Sequence, residues 1–157
     1  MRTPIRLALL ACLLTVSLAA RAQSTPPMNY AAAATSKFIT LPVLPPCMTL
    51  SIQEGDPAKG PLVVLAKFKP GCTVPWHFHS FNERLLIVSG TGKGEMKGES
   101  KPLPLKPGDY VLLPGKGIHQ FTAVTNVELF LLSDGPFDIH YVDPAGAEIP
   151  MAKALKP

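Results

Sequence analysis

The stretch GCTVPWHFHSFNERLLIVSG, residues 71–90, decides how the rest of the chain is read. Two of the four histidines stand one residue apart in it, a glutamate follows four residues after the second, and a glycine closes each end. In an extended strand, alternate side chains share a face. His77 and His79 therefore project one way, and Trp76 and Phe78 project the other. Ser80-Phe81-Asn82 leaves room for the chain to bend and return Glu83 toward the same point. Two neutral imidazoles and a carboxylate suit a mid-row divalent cation.

A third imidazole is available downstream. In GDYVLLPGKGIHQF, residues 108–121, Gly108-Asp109 reads as a turn and Tyr110–Leu113 as a short apolar strand. Pro114-Gly115-Lys116-Gly117 reads as another turn, and His119 opens the strand after it. Asp109 is expected to stabilise its turn. His140 alternates with Ile139 and Tyr141 and is expected on the opposite face, toward solvent. Trp76 has the parity of the outer face, which makes packing its default role. Phe81 is open between lining a pocket and packing, Tyr110 between donating to a bound ligand and a place at the rim, and Arg84 is expected at the surface rather than paired with an anionic substrate.

Around these motifs, short runs rich in Val, Leu, Ile and Phe recur from Phe38 onward. The expected strands are Thr49–Gln53, Leu62–Phe68, Val74–His79, Leu85–Ser89, Gly94–Lys97, Tyr110–Leu113, His119–Ala123, Glu128–Leu132 and Ile139–Val142. Gly, Pro and Asp clusters separate them. Many short strands without long helical periodicity argue for an all-β sandwich or barrel. With 46% hydrophobic residues, the 18 prolines and 12 glycines fit turns rather than disorder. No internal repeat is visible. The tail, 144–157, holds a short expected helix around Ala152–Leu155.

The N-terminus reads as a secretory signal peptide over residues 1–22: Arg2 and Arg6, an apolar run from Leu7 to Ala20, then Ala20-Arg21-Ala22. The run falls short of the ~20 apolar residues that span a bilayer, so no stable membrane insertion is expected after cleavage. Residues 23–37, polar, Pro-containing and Ala-rich, read as a flexible mature N-terminus with room for a helical turn at the alanines. The location expected is therefore periplasmic or secreted. Arg2, Arg6 and Arg21 leave with the leader, so 12 of the 15 basic residues remain against 11 acidic ones, a net +1. With no Lys/Arg cluster interleaved with aromatics, a nucleic-acid partner is excluded. Cys47 and Cys72 remain in an oxidising setting, where a disulfide and two buried thiols are both open readings.

The two motifs together resemble those of the cupins. The first runs Gly71, His77, His79, Glu83, Gly90 with every gap in the family's pattern. The second runs Gly108, Pro114, His119; Lys116 stands where a glycine is expected and Ala123 replaces an asparagine. The resemblance covers roughly residues 47–142, and SDGPFDIHYVD (133–143) resembles the end of the domain in exported bacterial cupins. It implies a six- to eight-stranded jelly-roll barrel over residues 38–143. Its ligands would be His77, His79, Glu83 and His119, holding Fe, Mn, Ni, Cu, Zn or Co. It also implies a small-molecule ligand or substrate, homodimer formation in many members, and oxygenase or isomerase chemistry with Glu83 as a detachable base. The alternative it leaves is a non-catalytic binder of a small polar molecule or sugar.

Overall fold

The computed structural model describes residues 28–156, so the expected signal peptide over residues 1–22 and the start of the expected flexible segment lie outside the described residues. Ten strands run β1 (Met48–Gly55), β2 (Leu62–Phe68), β3 (Thr73–Phe78), β4 (Glu83–Ser89), β5 (Gly92–Met96), β6 (Leu103–Leu105), β7 (Tyr110–Leu113), β8 (His119–Ala123), β9 (Val127–Ser133) and β10 (His140–Tyr141). A 3-10 turn at Ala33–Thr35 precedes them, and a one-turn helix, α1 (Met151–Ala154), follows. No helix among the described residues is long and apolar enough to cross a membrane.

The strands form two five-stranded antiparallel sheets, ordered β1-β2-β9-β4-β7 and β10-β3-β8-β5-β6. This is a jelly-roll arrangement, but the hydrogen bonding does not close it, so the expected six- to eight-stranded barrel is corrected to two facing sheets of ten strands in all. Alternation does the sorting. On β2, Leu62, Val64, Ala66 and Phe68 face the partner sheet and are buried. Leu129 on β9 and Leu85 and Ile87 on β4 do the same, and they meet Val74, Phe121 and Tyr141 from the second sheet. The Phe68 and Phe121 rings touch edge-on at 5.0 Å.

The two sheets are also tied covalently. Cys47, just before β1, bonds Cys72, just before β3, with Cα atoms 5.5 Å apart. Gly90, which closes the first motif, has φ +77°, and a Cβ there would lie 1.8 Å from the Asn126 carbonyl oxygen. Any side chain at this turn is therefore excluded twice, by conformation and by contact.

β3 carries a break in register between Val74 and His77. Both residues line the interior although three apart, which a regular strand forbids and a bulge permits. The expected run Val74–His79 is thus shifted and kinked rather than uniform. β10 is shorter than expected, and β6 was not expected at all.

Candidate metal centre

His77 on β3 pairs directly across the ladder with His119 on β8. Their rings lie 4.2 Å apart, centroid to centroid. His79 follows immediately after β3, its ring 4.9 Å from that of His77. One ligand-capable atom from each of the three imidazoles fits within a group spanning 4.8 Å. Glu83, first residue of β4, reaches the cluster from the other sheet. Its Oε1 stands 3.5 Å from His79 Nε2 and its Oε2 3.5 Å from His119 Nε2. All four predicted residues therefore converge, although they come from three strands and both sheets. Together with Ser51, they include every buried polar or charged residue among those described.

The far side of each ring fixes which nitrogen faces inward. His77 Nδ1 bonds the Pro75 carbonyl at 2.7 Å, and His119 Nδ1 bonds the Gly117 carbonyl at 2.8 Å. His79 Nδ1 bonds the Asp138 carbonyl. A carbonyl only accepts, so each Nδ1 carries the proton and each Nε2 presents a lone pair to the cluster. His119 Nε2 is buried with no hydrogen-bond partner, a costly state for a polar atom unless something occupies its lone pair.

Burial, followed by the neighbouring His119 and His79 rings, holds His77 well below the ordinary value of 6.5, against a smaller opposing effect of the Pro75 carbonyl. The neutral, ligand-competent form is thereby favoured. Between the unfolded value and the depressed folded one, the unfolded chain binds the extra proton, so stability falls as pH drops below about 6.5. Chelator-treated protein is therefore expected to unfold at lower urea at pH 5.5 than at pH 7.5, and equal midpoints would contradict this.

Three loops support the site. Asn82 accepts from the Gly115 backbone at 3.0 Å and donates to the Asp134 carboxylate at 3.1 Å. Asp138 accepts from the Ser80 backbone at 2.9 Å while its carbonyl holds His79. Burial pushes the Asp138 carboxyl up, but the Ser80 hydrogen bonds and the nearby His140 and His79 outweigh it and leave it lowered. Neither Asn82 nor Asp138 was singled out from the sequence. Asn82 sits in the unassigned gap of the first motif, and Asp138 acts on His79 through its backbone.

Lys116 is one of the two residues that depart from the family pattern, and its φ is +64°, with its amide donating to the His79 carbonyl at 2.7 Å. A side chain in this left-handed region costs about 1–2 kcal/mol. Lys116→Gly is expected to stabilise the protein by about 0.5–1 kcal/mol once glycine's greater freedom when unfolded is subtracted. Urea denaturation measures it, and a destabilised variant would show that the lysine side chain carries a contact of its own.

The remaining candidates fall outside the cluster. His140 stacks on Phe78 at 4.7 Å and bonds Glu148 at 3.2 Å, away from the interior as expected. Asp109 accepts from the Lys106 amide at 2.9 Å and holds its turn. Arg84 forms a two-pronged pair with Asp134, which holds the Asp134 carboxyl below its usual range with help from Asn82. Tyr110 is 58% exposed on the outer face, so a role toward an internal ligand is excluded. Phe81 packs over Gly135, and Trp76 borders a shallow cleft beside Glu95 and Lys97; neither lines the interior.

A family model described as the cupin domain matches residues 64–133, which contain all four clustered residues. The DNA damage-repair/toleration protein DRT102 of Arabidopsis thaliana is 28% identical over 79 residues, covering 50% of this chain and 26% of that protein. The chain thus matches about a quarter of the length of that relative. The polyketide cyclase RemF of Streptomyces resistomycificus superposes with a TM-score of 0.64 at 16% identity, covering 82% of this chain and 99% of that one. The DMSP lyase DddQ of Ruegeria pomeroyi gives 0.60 at 18% identity, covering 73% and 64%. At such identities these structures speak for the fold alone. With the domain match, the jelly-roll topology and both motifs in place, residues 64–133 of the chain are a domain of the cupin superfamily.

Proposed function

We propose that the protein is an exported, metal-dependent enzyme that holds a divalent transition metal through His77, His79, His119 and Glu83 and acts on a small molecule between its sheets. The observation that carries this reading is the tautomer lock: three Nδ1 atoms tied to backbone carbonyls, three Nε2 atoms turned to one point, and His119 Nε2 left without a partner. Nitrogen and carboxylate donors together fit a borderline cation such as Fe, Mn, Ni, Cu, Zn or Co. When bound, the ion would supply Lewis-acid polarisation of an oxygen-bearing ligand or, if redox-active, electrons for oxygenase chemistry.

The chain's own residues supply the rest. His77, His79 and His119 hold the site rigid through their backbone anchors. Glu83 is the buried carboxylate of the cluster and the group placed to take a proton from an acidic C–H or O–H of the ligand. An isomerase or oxygenase needs that base beside its electrophilic centre. RemF is named a polyketide cyclase and DddQ a DMSP lyase, which supports an enzymatic role for this fold without pointing to either reaction.

A non-catalytic small-molecule binder is the second reading. What favours it is the absence of another buried acid or base lining the interior among the described residues: Glu95, Glu99 and Lys101, the other ionisable lining groups, lie on β5 and the turn after it. Export is supported by the Cys47–Cys72 disulfide, since such bonds persist in oxidising compartments. A homodimer is supported by exposed Leu86, Tyr110 and Leu112 on the outer face of the first sheet.

The test is to reconstitute the protein separately with each of the six ions and follow oxygen uptake and product formation with catechols, flavonols and 1,3-diketones. Turnover that disappears on chelation and returns with the same ion supports the enzyme. Stoichiometric metal with ligand binding and no turnover supports the binder.

A further inference from the structure

The metal cluster occupies only one part of a cavity of about 670 Å³ between the sheets. Small-molecule sites usually measure roughly 300–1,000 Å³, and interiors are otherwise close-packed. The rest of the lining is apolar, contributed by both sheets and the loop before β10, and includes Ile52, Val64, Val111, Phe121, Leu131 and Phe137. Apart from the four clustered residues and Gln120, the polar side chains along it are Glu95, Glu99 and Lys101, of which Glu99 and Lys101 are exposed, on the turn before β6.

We propose that this cavity takes an uncharged, largely apolar small molecule, of the size of a fused-ring compound, that turns a single polar end toward the histidine cluster. Only the role of that polar end rests on the metal reading; the apolar preference stands on the lining. In the metal-free chain, an ionised ligand buried here would lack a counter-charge and would face the Glu83 carboxylate. Lys101, the one cation on the lining among the described residues, is exposed at the rim, and Arg84 on β4 is paired with Asp134 outside it. A buried carboxylate without a partner is heavily penalised. Sugars fare little better, because each hydroxyl taken from water needs a hydrogen-bond partner, and away from the cluster the inner lining offers little besides Gln120. An apolar void lined by Leu, Ile and Phe, by contrast, takes up apolar molecules readily.

The test uses the neutral fluorophore N-phenyl-1-naphthylamine at pH 8, with both chelator-treated and zinc-loaded full chain, displaced by 2-naphthalenemethanol or by 2-naphthoate. Saturable one-site binding is expected in the chelator-treated protein, with the alcohol displacing the probe at concentrations at least about tenfold below the carboxylate. Ile52→Lys, at a position already 42% exposed on the lining, and Leu131→Trp are each expected to weaken the probe at least about tenfold, whereas Leu86→Lys on the outer face leaves it unchanged. The proposal is overturned by no saturable binding in either metal state, or by equal displacement by alcohol and carboxylate in the chelator-treated protein. Binding that neither Ile52→Lys nor Leu131→Trp disturbs overturns it too, because the probe would then sit elsewhere. Probe binding by a protein that takes up no metal would defeat the metal reading and leave this proposal standing; one metal per chain without probe binding would do the reverse.

Discussion

His119→Ala is expected to lower bound metal from one equivalent per chain to below about a tenth, and His77→Ala to do the same. Loss of an outer partner alone typically costs 10–100-fold in affinity, and removal of a donor costs more. His119 is the sensitive position because its ring joins the two halves of the site, pairing across the ladder with His77 and standing 3.5 Å from the Glu83 carboxylate. The control is His140→Ala, which removes a ring stacked on Phe78 outside the cavity and leaves the metal in place. Elemental analysis of the three purified variants decides it. Equal loss from all three would mean that β10 faces the site.

Removing the Cys47–Cys72 bond gives the second large effect. The bridge closes a loop of 25 residues, for which chain entropy gives about 3 kcal/mol. In a domain of this size that corresponds to a fall of roughly 10 °C in Tm. The loop contains β1 and β2, and the bridge ties the residue entering the first sheet to the residue entering the second. Its loss therefore loosens the pairing of the sheets and not one turn. Thermal unfolding of the Cys47→Ala/Cys72→Ala variant, beside wild type with and without a reducing phosphine, measures the effect. The reduced wild type and the double variant should agree within about 1 kcal/mol, since Cys72 is buried and its truncation to alanine leaves a small void. A Tm indifferent to both treatments would show that the bond is absent from the folded protein.

Much of the molecule could be read from local pattern. β2, β7 and β8 have the bounds expected from their apolar runs and turn residues, because alternation and flanking Gly or Pro act within a few residues of one another. The inward direction of His77, His79 and Glu83 was legible for the same reason. β6 was not: Pro104 sits inside a three-residue strand, and proline ordinarily argues against one. It is tolerated there because β6 lies at the sheet edge and pairs only with β5. The bulge in β3 has its mark in Pro75, which stands inside the break: a proline within a strand paired on both sides points to a bulge, although its register depends on how Val74 and His77 meet β8. The disulfide stayed open because only the finished topology brings the approaches to β1 and β3 together. The anchors of the histidines were invisible for a further reason. They are backbone carbonyls of Pro75, Gly117 and Asp138, and a carbonyl has no residue-type signature.

Anomalous scattering from crystals of the metal-loaded protein, recorded at the absorption edge of the ion, tests the central claim most directly. One peak is expected per chain, within bonding distance of the Nε2 atoms of His77, His79 and His119. A map with no peak at that point, or with its only peak elsewhere on the surface, would contradict the account.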